Sequence, residues 1–164
     1  MQDSTSAPLT NRIDEHDDIC RVVQLYIDGT ANGDVSKLKE AFHDDARMFG
    51  GFLGSRYDVP IEHLFRQAAS MPADTGRYRG RIISVSQAGD VAFAAVAEDG
   101  YWGTVSFVDY FLLTRIDGKW KITCKTFAHT GGEPPKRKGY QSRCQLETGS
   151  NPDAIAGSWC GPSG

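Results

Sequence analysis

The chain has 164 residues, 40% hydrophobic and 24% charged, with a net charge of −3. That is enough apolar material for one domain with a buried core. The acidic balance argues against a nucleic-acid partner, which calls for a basic face, and no apolar run approaches the roughly 20 residues that span a bilayer.

Residues 1–11 read as a disordered leader of Ser, Thr, Asn and Pro, without an apolar signal stretch. A first helix follows over 14–32, where Ile19, Val22, Val23, Tyr26 and Ile27 recur at spacings of three and four. Asn32-Gly33 stops it, and Asp34 caps a short second helix with Leu38, Ala41 and Phe42 on its apolar face. His43-Asp44-Asp45 reads as a turn. A strand then starts near Ala46, with Gly50-Gly51 marking a bulge or a close backbone approach. The third helix is expected from Pro60 to Met71, burying Ile61, Leu64, Phe65 and Ala68. Beyond Arg77 the pattern changes to strands over 79–87, 91–97, 104–116 and 119–129. A Gly- and aromatic-rich connection covers 98–103, and Asp117-Gly118 is a hairpin turn. Residues 132–164 read as an irregular tail, and Lys136-Arg137-Lys138 within it as a solvated feature. Three helices followed by a meander give an α+β domain over 12–131: a cone in which a curved antiparallel sheet wraps around three N-terminal helices.

Four cysteines stand at 20, 124, 144 and 160, in no metal or disulfide pattern. Together with the polar N-terminus they suit a reducing cytoplasm, and Cys144 and Cys160 would pair only under oxidising conditions.

Both halves of the chain carry a family pattern. Tyr26-Ile27-Asp28-Gly29, Gly33-Asp34, Lys37-Leu38, Ala41-Phe42-His43 and Ala46-Arg47-Met48 form the opening part. Asp109-Tyr110-Phe111-Leu112-Leu113, then 116–122 (Ile-Asp-Gly-Lys-Trp-Lys-Ile), then Lys125-Thr126-Phe127 form the closing part. In order and spacing, over roughly residues 13–130, this resembles the nuclear transport factor 2-like superfamily, in its SnoaL-like, "putative lumazine-binding" branch. The resemblance implies a cone with a pocket. It also implies chemistry by a few acid–base side chains in apolar surroundings, with no metal and no organic cofactor. The superfamily holds isomerases, dehydratases, lyases and non-catalytic binders, so the fold leaves the activity open.

Asp109 is the leading catalytic candidate, because alternation puts it on the face of Phe107 and Phe111. A carboxylate there is costly unless paired or protonated. If it is unpaired, Asp109→Asn should hold or raise the melting temperature. Tyr26 is the second candidate. In the ketosteroid isomerases that this segment resembles, a tyrosine at that place and a protonated aspartate on a later strand donate hydrogen bonds to the substrate oxygen. Those roles would fall to Tyr26 and Asp109. The isomerase's general base would fall near Gly50, which cannot take a proton. His129 is the substitute base that the residues offer. However, simple alternation puts Trp120, Ile122 and Cys124 on one face of the last strand and Lys121, Lys125 and His129 on the other, so only a bulge brings both sets inward. Candidate substrate-binding residues are Phe49, Phe52, Tyr57, Phe65, Tyr101, Trp102, Phe107, Phe111 and Lys125, walls suited to a flat hydrophobic ligand.

These residues support a cofactor-independent lyase, dehydratase or isomerase acting on a small hydrophobic, aromatic or cyclic substrate. The alternative is a non-catalytic small-molecule binder in the same cone, and an interaction module is a third reading. A homodimer is expected through the outer sheet face, assigned here to Lys121, Thr123, Lys125 and Phe127. The tail carries few large apolar residues, mainly Tyr140, Leu146, Ile155 and Trp159, too little to offset the entropy of ordering it. Truncation after Gly132 should therefore leave a cooperative thermal melt nearly unchanged; a loss of many degrees would show that the tail packs on the cone.

Overall fold

The computed structural model describes residues 12–135. The expectations for the leader, for the Lys136–Lys138 run, for Cys144 and Cys160 and for the tail's apolar residues lie outside that span.

Helix α1 (Arg12–Asn32) ends at Gly33, whose φ of +69° is the left-handed stop expected there. Asp34 caps α2 (Val35–Ala41), its side chain accepting from the backbone N–H groups of Ser36 and Lys37. Strand β1 (Phe42–Phe52) begins at once, so His43-Asp44-Asp45 is strand and not a turn. Phe42, Ala46 and Met48 are buried on the inner side of β1, and that burial holds the acidic stretch extended.

Strand β2 (Ser55–Pro60) is missing from the sequence reading. It pairs with β1 through a tight turn at Leu53 and Gly54, both at positive φ. The leucine conceals the turn, since Asn or Asp is the usual residue there. Pro60 consequently closes a strand and does not open a helix; α3 is Glu62–Ser70. Strands β3 (Arg79–Ala88), β4 (Val91–Tyr101), β5 (Val105–Ile116) and β6 (Lys119–Gly131) follow. The expected connection over 98–103 is mostly strand: β4 runs on to Tyr101 and the true turn is centred on Trp102 and Gly103.

The six strands lie in the order β2-β1-β6-β5-β4-β3. All neighbours are antiparallel except β1 and β6, which run parallel. The helices fill the concave face. Ile19, Val23, Tyr26 and Ile27 of α1, Leu38 of α2, and Leu64 and Phe65 of α3 join Met48, Val96, Phe111, Leu113 and Ile122 of the sheet in one core. A smaller cluster of Ala73, Tyr101, Trp102, Val105 and Phe107 forms at one end, with Phe52 and Phe127 packed against it.

One irregularity decides what faces the interior. Between β5 and β6 the pairing steps from Leu113 opposite Ile122 to Leu112 opposite Cys124, leaving Thr123 as the extra residue of a bulge. Before the bulge Trp120 and Ile122 face in; after it the phase reverses, and Lys125 faces in at 4% exposure. The outer face assigned to Lys121, Thr123, Lys125 and Phe127 is thus corrected: Lys125 and Phe127 line the interior. The convex surface exposes Tyr110 and Leu112 instead, with the Phe93 ring 5.4 Å from that of Tyr110.

Gly50 stands opposite Phe127 in the parallel pair. A Cβ at Gly50 would sit 2.5 Å from the Phe127 ring and 2.6 Å from its carbonyl oxygen. The space beside Gly50, where the resemblance would put a base, is therefore occupied by the Phe127 ring. Gly50→Ala should cost about 1–3 kcal/mol by overpacking, read as a lowered urea midpoint at unchanged slope.

Candidate functional site

Three adjacent strands put three charged side chains on the concave face. Glu98 of β4 is opposite Phe107 of β5, two residues from Asp109, and Lys125 of β6 is opposite Phe111, two residues on the other side. Asp109 therefore lies diagonally between Glu98 and Lys125, within reach of both long side chains. Tyr26 reaches the same point from α1 and Tyr78 from the segment before β3.

The contacts are short and buried. Tyr26 Oη donates to Asp109 Oδ2 at 2.5 Å, and Lys125 Nζ lies 2.6 Å from the same oxygen. Tyr26 Oη is also 3.3 Å from both Glu98 oxygens, and Tyr78 Oη donates to Glu98 Oε1 at 2.6 Å. The Lys125 ammonium stands 5.3, 5.6 and 5.0 Å from the ring centroids of Tyr26, Phe111 and Phe127, where aromatic faces stabilise a cation. Asp109, Glu98 and Tyr26 are at most 1% exposed.

Burial pushes the Glu98 carboxyl up to about 8, and the charge of Asp109 adds to the shift, against the opposing pull of Lys125 and Tyr78. Asp109 Oδ1 is buried and has no hydrogen-bond partner among the described residues. The phenols of Tyr26, Tyr78 and Tyr101 are all raised, first by burial and then by the neighbouring carboxylates, which keeps them protonated donors. The cluster thus sets the Lys125–Asp109 ion pair beside a carboxyl group whose burial favours its neutral form. Among the described residues no three His, Cys, Asp or Glu side chains are grouped to hold a metal ion.

A cavity opens onto this cluster. Tyr26, Glu98, Asp109 and Lys125 line it together with Met48, Phe52, Tyr57, Leu64, Gln67, Tyr101, Trp102, Phe107 and Phe127. It is narrow, with about 40 Å³ for the centres of water-sized molecules, room for a few waters. Of the expected site residues, Asp109, Tyr26, Lys125, Phe52, Tyr57, Tyr101, Trp102 and Phe107 meet at this cavity. Four do not line it. Phe65 and Phe111 pack into the core beneath it, each against Phe42. Phe49 lies on the outer side of β1, under the Arg47 guanidinium. His129 lines a separate, open space at the β1–β2 turn, shared with Phe52 and Tyr57. Its Nε2 is within 2.9 Å of the carbonyl oxygens of Gly131 and Gly132, and its ring packs edge-on against Phe52.

Glu98 is the charged residue of this cluster that sequence reasoning missed. Its signal was available: the inward phase of Val96 continues to Glu98 two residues on, but assigning 98–103 to a connection discarded it. Tyr78, Gln67 and Met48 carry no comparable signal.

The raised Glu98 carboxyl makes stability pH-dependent. The folded state holds a proton that the unfolded chain releases near its ordinary value of 4.5. The stabilisation is complete below that value and is lost as pH rises through the window up to about 8. Urea midpoints should fall between pH 5 and 8 and then level; Glu98→Gln, which stays neutral, should flatten that slope.

The family model described as "Putative lumazine-binding" matches residues 14–128. Aldolase FrzH of a Cladobotryum species is 22% identical over 113 residues, covering 69% of this chain and 90% of its own. A solved NTF2-like protein of unknown function from Methylobacillus flagellatus KT is 30% identical with a TM-score of 0.68, over 74% of this chain and 97% of that one. Another from Shewanella baltica OS155 is 25% identical with a TM-score of 0.69, over 75% and 99%. A ketosteroid isomerase-like protein from Erwinia carotovora atroseptica SCRI1043 shares the fold at 19% identity and a TM-score of 0.59, over 72% and 98%. The chain belongs to the "Putative lumazine-binding" family, a SnoaL-like branch of the nuclear transport factor 2-like superfamily.

Proposed function

We propose that this protein is a cofactor-independent acid–base enzyme, a lyase, dehydratase or isomerase acting on a small hydrophobic, aromatic or cyclic substrate. The observation that carries the reading is the Asp109 carboxylate at the cavity wall, held by Tyr26 and Lys125 beside the proton-bearing Glu98. Asp109 is placed to accept a substrate proton. Tyr26 and protonated Glu98 are donors for an oxygen on which negative charge develops, and the dry walls strengthen both interactions. His129 and Phe52 stand at the outer space, where Phe52 also lines the cavity and so separates the two. A ring-sized substrate enters if Phe52 or Trp102 swings aside. The similarity to an aldolase fits the lyase arm.

Two observations favour the alternative, a binder in the same cone. The base position is filled by Phe127 against Gly50. The polar atoms of the cluster also find most of their partners within the protein. The half-buried free thiols of Cys20 and Cys124 fit a reducing cytoplasm.

The experiment is a turnover screen of small aromatic and cyclic carbonyl and hydroxy compounds. Asp109→Asn should lower the rate by about 10²–10⁴ and Tyr26→Phe by about 10²–10³. The pairing with Lys125 reverses the stability expected of an unpaired Asp109: Asp109→Asn leaves a buried ammonium alone and should cost about 3–5 kcal/mol. Adding Lys125→Met should recover stability without turnover. Compounds that bind the wild-type protein and are never converted would put the binder first.

The convex face with Tyr110, Leu112 and Phe93 fits a second copy of the chain, as in a homodimer. Light scattering at micromolar concentration should give twice the chain mass of 18.0 kDa, and Leu112→Glu should return it to a single chain. A single-chain mass for the wild type would refute the dimer.

A further inference from the structure

We infer that Lys125 is an amine nucleophile that condenses with the carbonyl carbon of a small aldehyde or ketone, so that the site works through a protein-bound iminium. This rests on the acid–base reading of the same cavity and names its substrate class.

A lysine at 4% exposure needs a reason to be there. Pairing with Asp109 accounts for its charge, but the position of its nitrogen does more. Lys125 lines the same cavity as Asp109, with its nitrogen among the rings of Tyr26, Phe111 and Phe127. The resting ammonium is not nucleophilic and must first lose a proton. Asp109 Oδ2, 2.6 Å away, is a ready acceptor. The free amine then adds to the carbonyl carbon, the C–N bond forming as the C=O π bond opens. The carbonyl oxygen takes a proton from Tyr26 or Glu98, the adduct nitrogen returns one of its two protons to that same group, and the hydroxyl leaves as water after protonation by Asp109. The balance is R₂C=O plus Lys–NH₃⁺ giving R₂C=NH⁺–Lys plus H₂O, with no oxidant, reductant or metal.

The bookkeeping of charge favours this course. Nitrogen is positive before and after, so the iminium inherits the Asp109 counter-ion and the three aromatic faces that held the ammonium. A hydrophobic pocket is one setting in which lysines are activated. An iminium withdraws electrons from the adjacent carbon, which eases loss of an α-proton or of a carbon fragment. Asp109 is adjacent to accept the proton so released, and Glu98 can return one. The narrow cavity admits the carbonyl end of a substrate, with the remainder extending past Phe52.

The test is reductive trapping. The full wild-type chain is incubated near neutral pH with acetaldehyde, and in a second arm benzaldehyde, in the presence of cyanoborohydride, then digested and mapped by mass spectrometry. Exposed Lys39 and Lys119 in the same molecules are internal references. Lys125 should be alkylated about tenfold faster than either reference, and Tyr26→Phe should slow Lys125 alone. Alkylation of Lys39 and Lys119 with Lys125 untouched, or modified no faster, overturns the proposal. If Lys125 is untouched while Asp109→Asn still abolishes turnover, the covalent step falls and the acid–base reading stands. If Lys125 is trapped selectively and no compound turns over, the nucleophile stands and the acid–base reading falls.

Discussion

A buried ion pair sets the terms for the rest of this molecule. Taking a carboxylate and an ammonium out of water costs several kcal/mol for each ion unless their surroundings replace the lost hydration. Here Tyr26 supplies a hydrogen bond to the oxygen that Lys125 also meets, three aromatic rings face the ammonium, and Glu98 holds a proton and so avoids adding a second negative charge. These groups come from four separate parts of the chain. The pair is tolerable only when α1, β4, β5 and β6 are all in place, so the cone and its polar centre assemble together.

The Thr123 bulge is what allows that assembly. Without the extra residue, Lys125 would follow the phase of Trp120 and Ile122 to the outside and Asp109 would be left among phenylalanines. Bulges recur beside active sites because they re-aim one side chain without altering the sheet, and this one reverses the direction of the second half of β6. Phe127 moves inward with Lys125, and it is that ring which leaves room for nothing larger than glycine at position 50.

The site therefore departs from the ketosteroid isomerase pattern in a coherent way. At Gly50, where the resemblance would put a base, this chain packs the Phe127 ring. Its two carboxyl groups and its amine are gathered instead on β4, β5 and β6, met by the phenols of Tyr26 from α1 and Tyr78 from the segment before β3. Burial raises Glu98 beside the Asp109–Lys125 pair, so groups of different proton affinity stand side by side in the same dry space.

How much of this was legible beforehand depends on the range of the interaction. The sequence by itself determined the three helices, the cap at Asp34, the Asp117-Gly118 hairpin and the α+β class, because periodicity and turn chemistry are local. It also singled out Asp109, a carboxylate flanked by Phe107 and Phe111, while Tyr26 was pointed to by the resemblance to the ketosteroid isomerases. Only the tertiary structure decided that Glu98 belongs with them, that Lys125 faces in, that Phe49 faces out and that His129 sits apart. Those outcomes turn on strand register and on a single bulged residue. A shift of one position reverses every side chain after it, and register is set by pairing between segments far apart in the chain.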